Sequence, residues 1–419
     1  MHSTRHILGL LLLLLCAAIA RTQTNGYSST SPSLEKLQIL GKREPIAPDA
    51  EAAEDLSKRR PDRFWMRGEF LLGWITSAKF PPLVTTGPSN EARPGALDSG
   101  NTSVLFGSGG MDFQDRNGAR FTLGLWLDAA QTLGVEANYF FLAGRSIEQA
   151  FTSPGEPVLA TPFFNVNKGI QDSSLITYPG LMNGQISIRA PSFLQGIETN
   201  AIGSLWNNER LQFEGLLGVR YLNLQEGLHI NSTTLVELAP QYQGLGIPFE
   251  NNTIIVRDRF DAHTHFIGAQ VGARGEWTRR RFGIELTGKV ALGVAHEVVE
   301  IRGFTGIDTQ PATARNAGLF ALSSNSGRHT RNEFAVAPEG TMRVKFRVTE
   351  RLHLFGGYWF LYMSRVARPG DQIDPGVNLN LVPTSNTFGT AGGANRPGVN
   401  IRSTDFFVHG ATFGLEWRY

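Results

Sequence analysis

FFVHGATFGLEWRY (406–419) alternates without a break. Read as a strand, it places Phe407, Ala411, Phe413, Leu415, Trp417 and Tyr419 on one face. Gly410, Thr412, Gly414, Glu416 and Arg418 fall on the other. One face is apolar and aromatic throughout, and the other carries charge, so the apolar face needs either a core or a lipid phase to enter.

The same pattern recurs upstream. In FWMRGEFLLGWIT (64–76), Phe64, Met66, Phe70, Leu72 and Trp74 oppose Arg67 and Glu69. ARFTLGLWLDA (119–129) sets Phe121, Leu123, Leu125 and Leu127 against Arg120 and Asp128, and LGVEANYFFLA (133–143) sets Val135, Tyr139 and Phe141 against Glu136 and Asn138. A weaker segment spans 193–206, followed by LQFEGLLGVRYLN (211–223). Further segments cover 260–278, 281–294, 332–348 and 352–362, and the terminal strand makes ten.

The connections alternate too. Tight turns fall near 130–131, 207–209, 279–280 and 349–350, and long stretches cover 77–117, 146–192, 225–259, 300–331 and 366–403. This short-long rhythm predicts an all-β fold: a transmembrane antiparallel up-and-down β-barrel with short periplasmic turns and long external loops. The strand number is ten, or twelve if the long connections hide a further pair. A soluble β-sandwich also alternates, but its strands are shorter and seldom carry charge at position after position opposite an all-apolar face.

The front of the chain fits export. MHSTRHILGLLLLLLCAAIA has a basic start, an apolar run and a small-residue end, the pattern of a cleaved signal peptide over 1–20. Residues 21–62 are Ser-, Thr- and Pro-rich and then charged, which predicts a disordered periplasmic linker. The barrel domain is then 63–419, in a bacterial outer membrane. Cys16 is the chain's one cysteine, so the mature barrel is held without disulfides. A net charge of +2 spread along the chain gives no nucleic-acid footprint.

Seven segments together resemble one family: PPLVTTGP (81–88), GARFTLGLWLDAAQTLGVEANYFFL (118–142), PVLATPFF (157–164), GLLGVRYLNLQEGL (215–228), TRNEFAVAPE (330–339), GYWFLYMSRVARPGDQID (357–374) and the terminal FFVHGATFGLEWRY. They are similar to the beta-barrel porin family numbered seven, found chiefly in planctomycetes. That resemblance implies an outer-membrane barrel and supplies no catalytic or ligand residues.

The inward face defines the candidate site. Its charged residues are Glu136, Glu214, Arg220, Arg274, Glu276, Glu285, Lys289, Glu339, Arg343, Lys345 and Arg347. A ten-stranded barrel has an interior near the width that side chains fill. Those charges therefore either pair across a plugged lumen or line a narrow, charge-selective pore for small solutes. Phe413, Leu415, Trp417 and Tyr419 form a terminal pattern suited to the outer-membrane assembly machinery, with membrane lipid as the other expected partner.

For a rim enzyme the local constellation is DRFDAHTHF (258–266), where Asp261, His263 and His265 share one strand face and make a weak candidate metal site. That face continues into Ile267 and Val271, so it points outward. No G-x-S-x-G or H-E-x-x-H is present, and no cofactor is expected. The Pro-, Gly- and Asn-rich loops are candidates for binding an unidentified surface ligand.

Overall fold

The computed structural model describes residues 63–419 except 209, 243–248 and 309–313. The predicted signal peptide and linker lie outside the described residues. Ten long strands form the wall: β1 (Phe64–Ile75), β2 (Asp115–Trp126), β3 (Leu133–Ser153), β4 (Met182–Asn207), β5 (Leu211–Val236), β6 (Thr253–Arg279), β7 (Phe282–Ile307), β8 (Gly327–Arg347), β9 (Leu352–Ala367) and β10 (Ser403–Arg418). Each pairs antiparallel with the next, and β1 closes the ring against β10. The closing ladder runs from Trp65 opposite Arg418 to Ile75 opposite Val408, and Tyr419 N–H donates to the Phe64 carbonyl at 2.8 Å. No strand edge is left at that junction, as an apolar surround demands.

Strands form here because alternate side chains meet two different media. Leu123, Leu217, Ile267, Leu286 and Phe334 are exposed on the outside, while Glu198, Arg220, Glu285 and Glu339 are buried inside. An outward band of this kind, with aromatic residues at both borders, is the membrane belt of a barrel. Trp417 and Tyr419 stack at 5.5 Å on the periplasmic border, and His409 lies between Trp74 (5.9 Å) and Phe407 (5.4 Å) on the outer one.

Six strands run far beyond the spans expected of them. β3 reaches Ser153, β4 begins at Met182, β5 reaches Val236, β6 begins at Thr253, β7 reaches Ile307 and β8 begins at Gly327. Much of the predicted long connections 146–192, 225–259 and 300–331 is therefore strand. Above the belt the polarity of the alternation reverses. Ile188, Leu228, Ile230, Phe260, Val299 and Ile301 are buried inside, whereas Arg189, Arg259, Glu300 and Arg302 face out. Water outside and a packed interior are what that reversal serves.

The interior there is packed by the connections themselves. Short strands Val84–Gly87, Ser103–Phe106, Val158–Asn165, Ile170–Leu175 and Gly376–Val377 form a second sheet, and Ala78–Phe80 pairs with Gly109–Met111. Phe80, Phe106, Phe163 and Phe320 from these connections pack against Leu228, Phe260 and Val299 of the wall. Burying a side chain of this size stabilises by about 1.5–3 kcal/mol, which is why such loops fold into a cap.

One wall junction is incomplete. The β8–β9 ladder runs from Arg347 opposite His353 only to Glu339 opposite Leu361. The next donor position on that edge is Pro338, which has no N–H to give. Beyond it Val336 N–H reaches Ser364 Oγ at 2.8 Å in place of a ladder bond. β9 then bends at Arg365 (φ 56°) and its end enters the lumen, where Ala367 N–H donates to Thr264 Oγ1 at 3.2 Å. Ala291, Ala295, Ala335 and Ala337 of β7 and β8 are buried behind it, small enough to leave it room.

Candidate functional site: the filled lumen

The periplasmic half of the lumen is an ionic layer. Arg67 on β1 holds Glu416 (Nε to Oε2, 2.8 Å) and Glu285 (3.1 Å). Arg343 takes Glu285 at 2.6 Å and Glu69 at 2.8 Å, and Thr412 Oγ1 donates to the second oxygen of Glu69 at 2.9 Å. Lys345 sits among Glu276, Glu285 and Glu416 at 2.8, 2.6 and 3.3 Å. Further in, Glu339 accepts from Arg120 (2.9 Å), Lys289 (3.3 Å) and Arg220, while Glu198 accepts from Arg220 and Lys289. Arg274 joins Glu136 (2.7 Å) to Glu214 (3.2 Å), and Arg418 joins Glu276 (3.2 Å) to Glu416.

These eight cations and eight carboxylates leave the layer with no net charge. A buried charge is tolerated only when paired and hydrogen-bonded, because removing it from water costs several kcal/mol per ion. Each group here has at least one opposite charge within 3.3 Å.

Above the ions lies an apolar layer. Leu71, Phe140, Leu194, Leu222, Phe266, Trp359 and Phe406 meet across the ring, all buried. The Arg120 guanidinium marks the boundary, 5.5 Å from the centre of the Phe140 ring and 5.3 Å from that of Trp359. The chain leaving β9 then straps the lumen shut. Arg368 donates through Nε and Nη2 to both oxygens of Glu226, each at 2.8 Å, and through Nη1 to the Thr76 and Ser77 carbonyls. Gly370 is needed in this strap, since a Cβ would stand 2.0 Å from the Lys79 carbonyl oxygen. At the periplasmic mouth a cavity of about 310 Å³ remains, lined by Trp65, Trp126, Gln212, Glu214, Glu276 and Arg418 among others.

Ten of the eleven charged residues singled out from the sequence are brought into this layer: Glu136, Glu214, Arg220, Arg274, Glu276, Glu285, Lys289, Glu339, Arg343 and Lys345. Arg347 is not. It is exposed at the end of β8 and donates to the Arg280 carbonyl at 3.0 Å, because the strand has already reached the periplasmic border. Six members were missed: Arg67, Glu69, Arg120, Glu198, Glu416 and Arg418. Five of these lie opposite apolar faces in the segments quoted above, so the alternation itself could have found them.

Phe413, Leu415 and Tyr419 are exposed on the outer face of β10, and Trp417 is half-buried beside them. The candidate metal residues are not brought together. Asp261 accepts from His229 (3.2 Å) and Arg259 (2.6 Å), while His265 bonds the Tyr221 hydroxyl at 2.7 Å. Among the described residues no three metal-ligating side chains converge.

A closed up-and-down barrel with an apolar outer belt and an internal ionic layer defines an outer-membrane β-barrel protein. The family model described as "Putative beta barrel porin-7 (BBP7)" matches residues 65–419, and the chain belongs to that family. No curated protein matches. Among solved structures, the outer membrane protease OmpT from Escherichia coli is 9% identical, with 85% of this chain and 97% of that one covered and a TM-score of 0.37. A Pseudomonas aeruginosa FadL homologue is 6% identical (85% and 90% covered, TM-score 0.25). The translocator domain of autotransporter NalP from Neisseria meningitidis is 9% identical (88% and 93% covered, TM-score 0.20). Likeness at this level carries nothing about activity.

Proposed function

We propose that this protein is a plugged outer-membrane barrel that works as an envelope scaffold and presents its folded outer cap as a binding surface, without catalysis. The observation that supports this reading best is the stack of three fillings in one lumen: the neutral ionic layer, the apolar layer and the cap. Water and ions would have to cross all three. An apolar layer excludes ions by denying them hydration, and a layer already paired offers them no vacant counter-charge.

A narrow pore for small solutes is the second reading. It is favoured by the periplasmic cavity, which opens the ionic layer from one side, and by the family's porin description. Conductance of the refolded full chain in a planar bilayer separates the two. The plugged barrel stays silent in wild type, and Arg368→Met, which frees the strap, produces openings at most brief. Stable, salt-scaled steps in wild type would establish the pore and overturn the plug.

A further inference from the structure

Two features of the outer surface meet on β8. The first is its free edge. Val336 N–H points toward β9, so by antiparallel alternation the N–H groups of Phe334, Asn332 and Thr330 point the same way. Apart from the Val336–Ser364 side-chain contact, no strand among the described residues forms a backbone ladder with that side of β8 above Glu339. The second is charge. Directly above exposed Ile267, Val294 and Phe334, successive outward rows across β6, β7 and β8 read His265, His296, Asn332; then His263, Val298, Thr330; then Asp261, Glu300, Arg328.

Arg259 and Arg302 are occupied by Asp261 (2.6 Å) and Glu300 (2.9 Å). His265 and His296 are occupied by Tyr221 and Asn332, each at 2.7 Å. Arg328 is exposed and forms no ion pair with a carboxylate among the described residues. His263 lies on β6 one row below it, with Val298 of β7 between the two strands, and forms no hydrogen bond among the described residues.

We propose that this corner binds the phosphate-bearing headgroup of a membrane lipid, with the phosphate at Arg328 and the edge amides of Thr330 and Asn332, and an acyl chain against Phe334. Phosphate oxygens are charged acceptors that suit a guanidinium and backbone N–H groups together. At the border of the hydrocarbon those amides need an acceptor, which a headgroup supplies without extending the wall. A lipid is the occupant, rather than free phosphate, because the donors begin where the exposed apolar side chains end. Phe334 and Ile267 stand 66% and 65% exposed just beneath them.

The test counts lipids retained by the refolded full chain in native mass spectrometry. The probes are phosphatidylglycerol and the phosphate-free diacylglycerol of identical chains. Wild type should keep one phosphatidylglycerol with roughly tenfold preference, the scale of one charge-assisted contact. Arg328→Glu with His263→Gln should abolish that preference while heat-modifiable gel migration shows an intact barrel. Arg189→Glu, a surface charge change on β4, should leave it unchanged. Equal retention of both lipids, an equal loss in Arg189→Glu, or displacement by inorganic phosphate alone would each overturn the proposal.

Discussion

The lower and upper halves of one strand show two solutions to the same problem. From Phe282 to Val294, β7 turns Ile284, Leu286, Val290 and Leu292 outward and Glu285, Thr287 and Lys289 inward. From His296 to Ile307 the same strand turns Glu300 and Arg302 outward and Val299 and Ile301 inward. Backbone, pairing and period are unchanged, and only the media on the two sides differ. Side-chain polarity therefore reports what each face meets, while periodicity alone reports the strand. The lower lumen is filled by charges that neutralise one another, and the upper by apolar groups that need no partner.

The sharpest break in that comparison comes from unpairing the lower half. Glu339→Gln leaves Arg120, Arg220 and Lys289 short of a counter-charge. Loss of one partner from a buried ionic set costs about 3–5 kcal/mol, and the shift should appear in the urea midpoint of the folded band on gels. An unchanged midpoint would mean that water reaches this layer. Next in size is a paired substitution on β7. Leu292→Arg places a charge on the lipid-facing side and should cost up to about 2–4 kcal/mol. Arg302→Leu, ten residues on, removes an exposed ion-paired charge and should stay within about 0.5 kcal/mol. Similar costs at the two positions would mean that the outward reversal does not mark the edge of the membrane.

The smallest effect sharpens the upper half. Asp258 lies on β6 above the belt, between outward-facing Arg257 and Arg259, and its buried carboxylate accepts from the Leu319, Phe320 and Ala321 amides. Gly318 lets that loop pass, since a Cβ there would stand 2.1 Å from Asp258 Oδ1. Burial pushes the carboxyl up to about 6, against the pull of the three amides. The folded value lies above the ordinary one of 3.8. Its contribution is therefore complete below about pH 4 and lost as pH rises through about 6. Hydrogen-exchange protection of residues 314–326 should fall by about ten- to a hundredfold across that window, and Asp258→Asn should flatten the response.

The lipid-facing half was legible because it obeys one rule from Phe64 to Tyr419: apolar outward, polar inward. The rule ends at His265, His296 and Asn332, where the polarity reverses, so a search for apolar-outward alternation reads the strand extensions as connections. Glu198 escaped for a related reason. The outward side of β4 mixes Gln195 and Thr199 with Ile197 and Ala201, which hides the contrast that would have marked Glu198 as inward. Arg347 was over-counted because alternation continues past the point where the strand ends. Which carboxylate serves which cation was beyond reach, since Arg67 and Glu285 stand 218 positions apart and only ring closure brings them together.

The ionic layer has a mechanical consequence. Backbone ladders tie each strand to its two neighbours, which resists separation but allows the ring to flatten. Arg67–Glu285 runs from β1 to β7, Arg120–Glu339 from β2 to β8 and Arg274–Glu136 from β6 to β3. These links cross the ring like the spokes of a wheel. They hold the cross-section round under lateral pressure from the bilayer, so the stiffness of this barrel resides in its hub as much as in its rim.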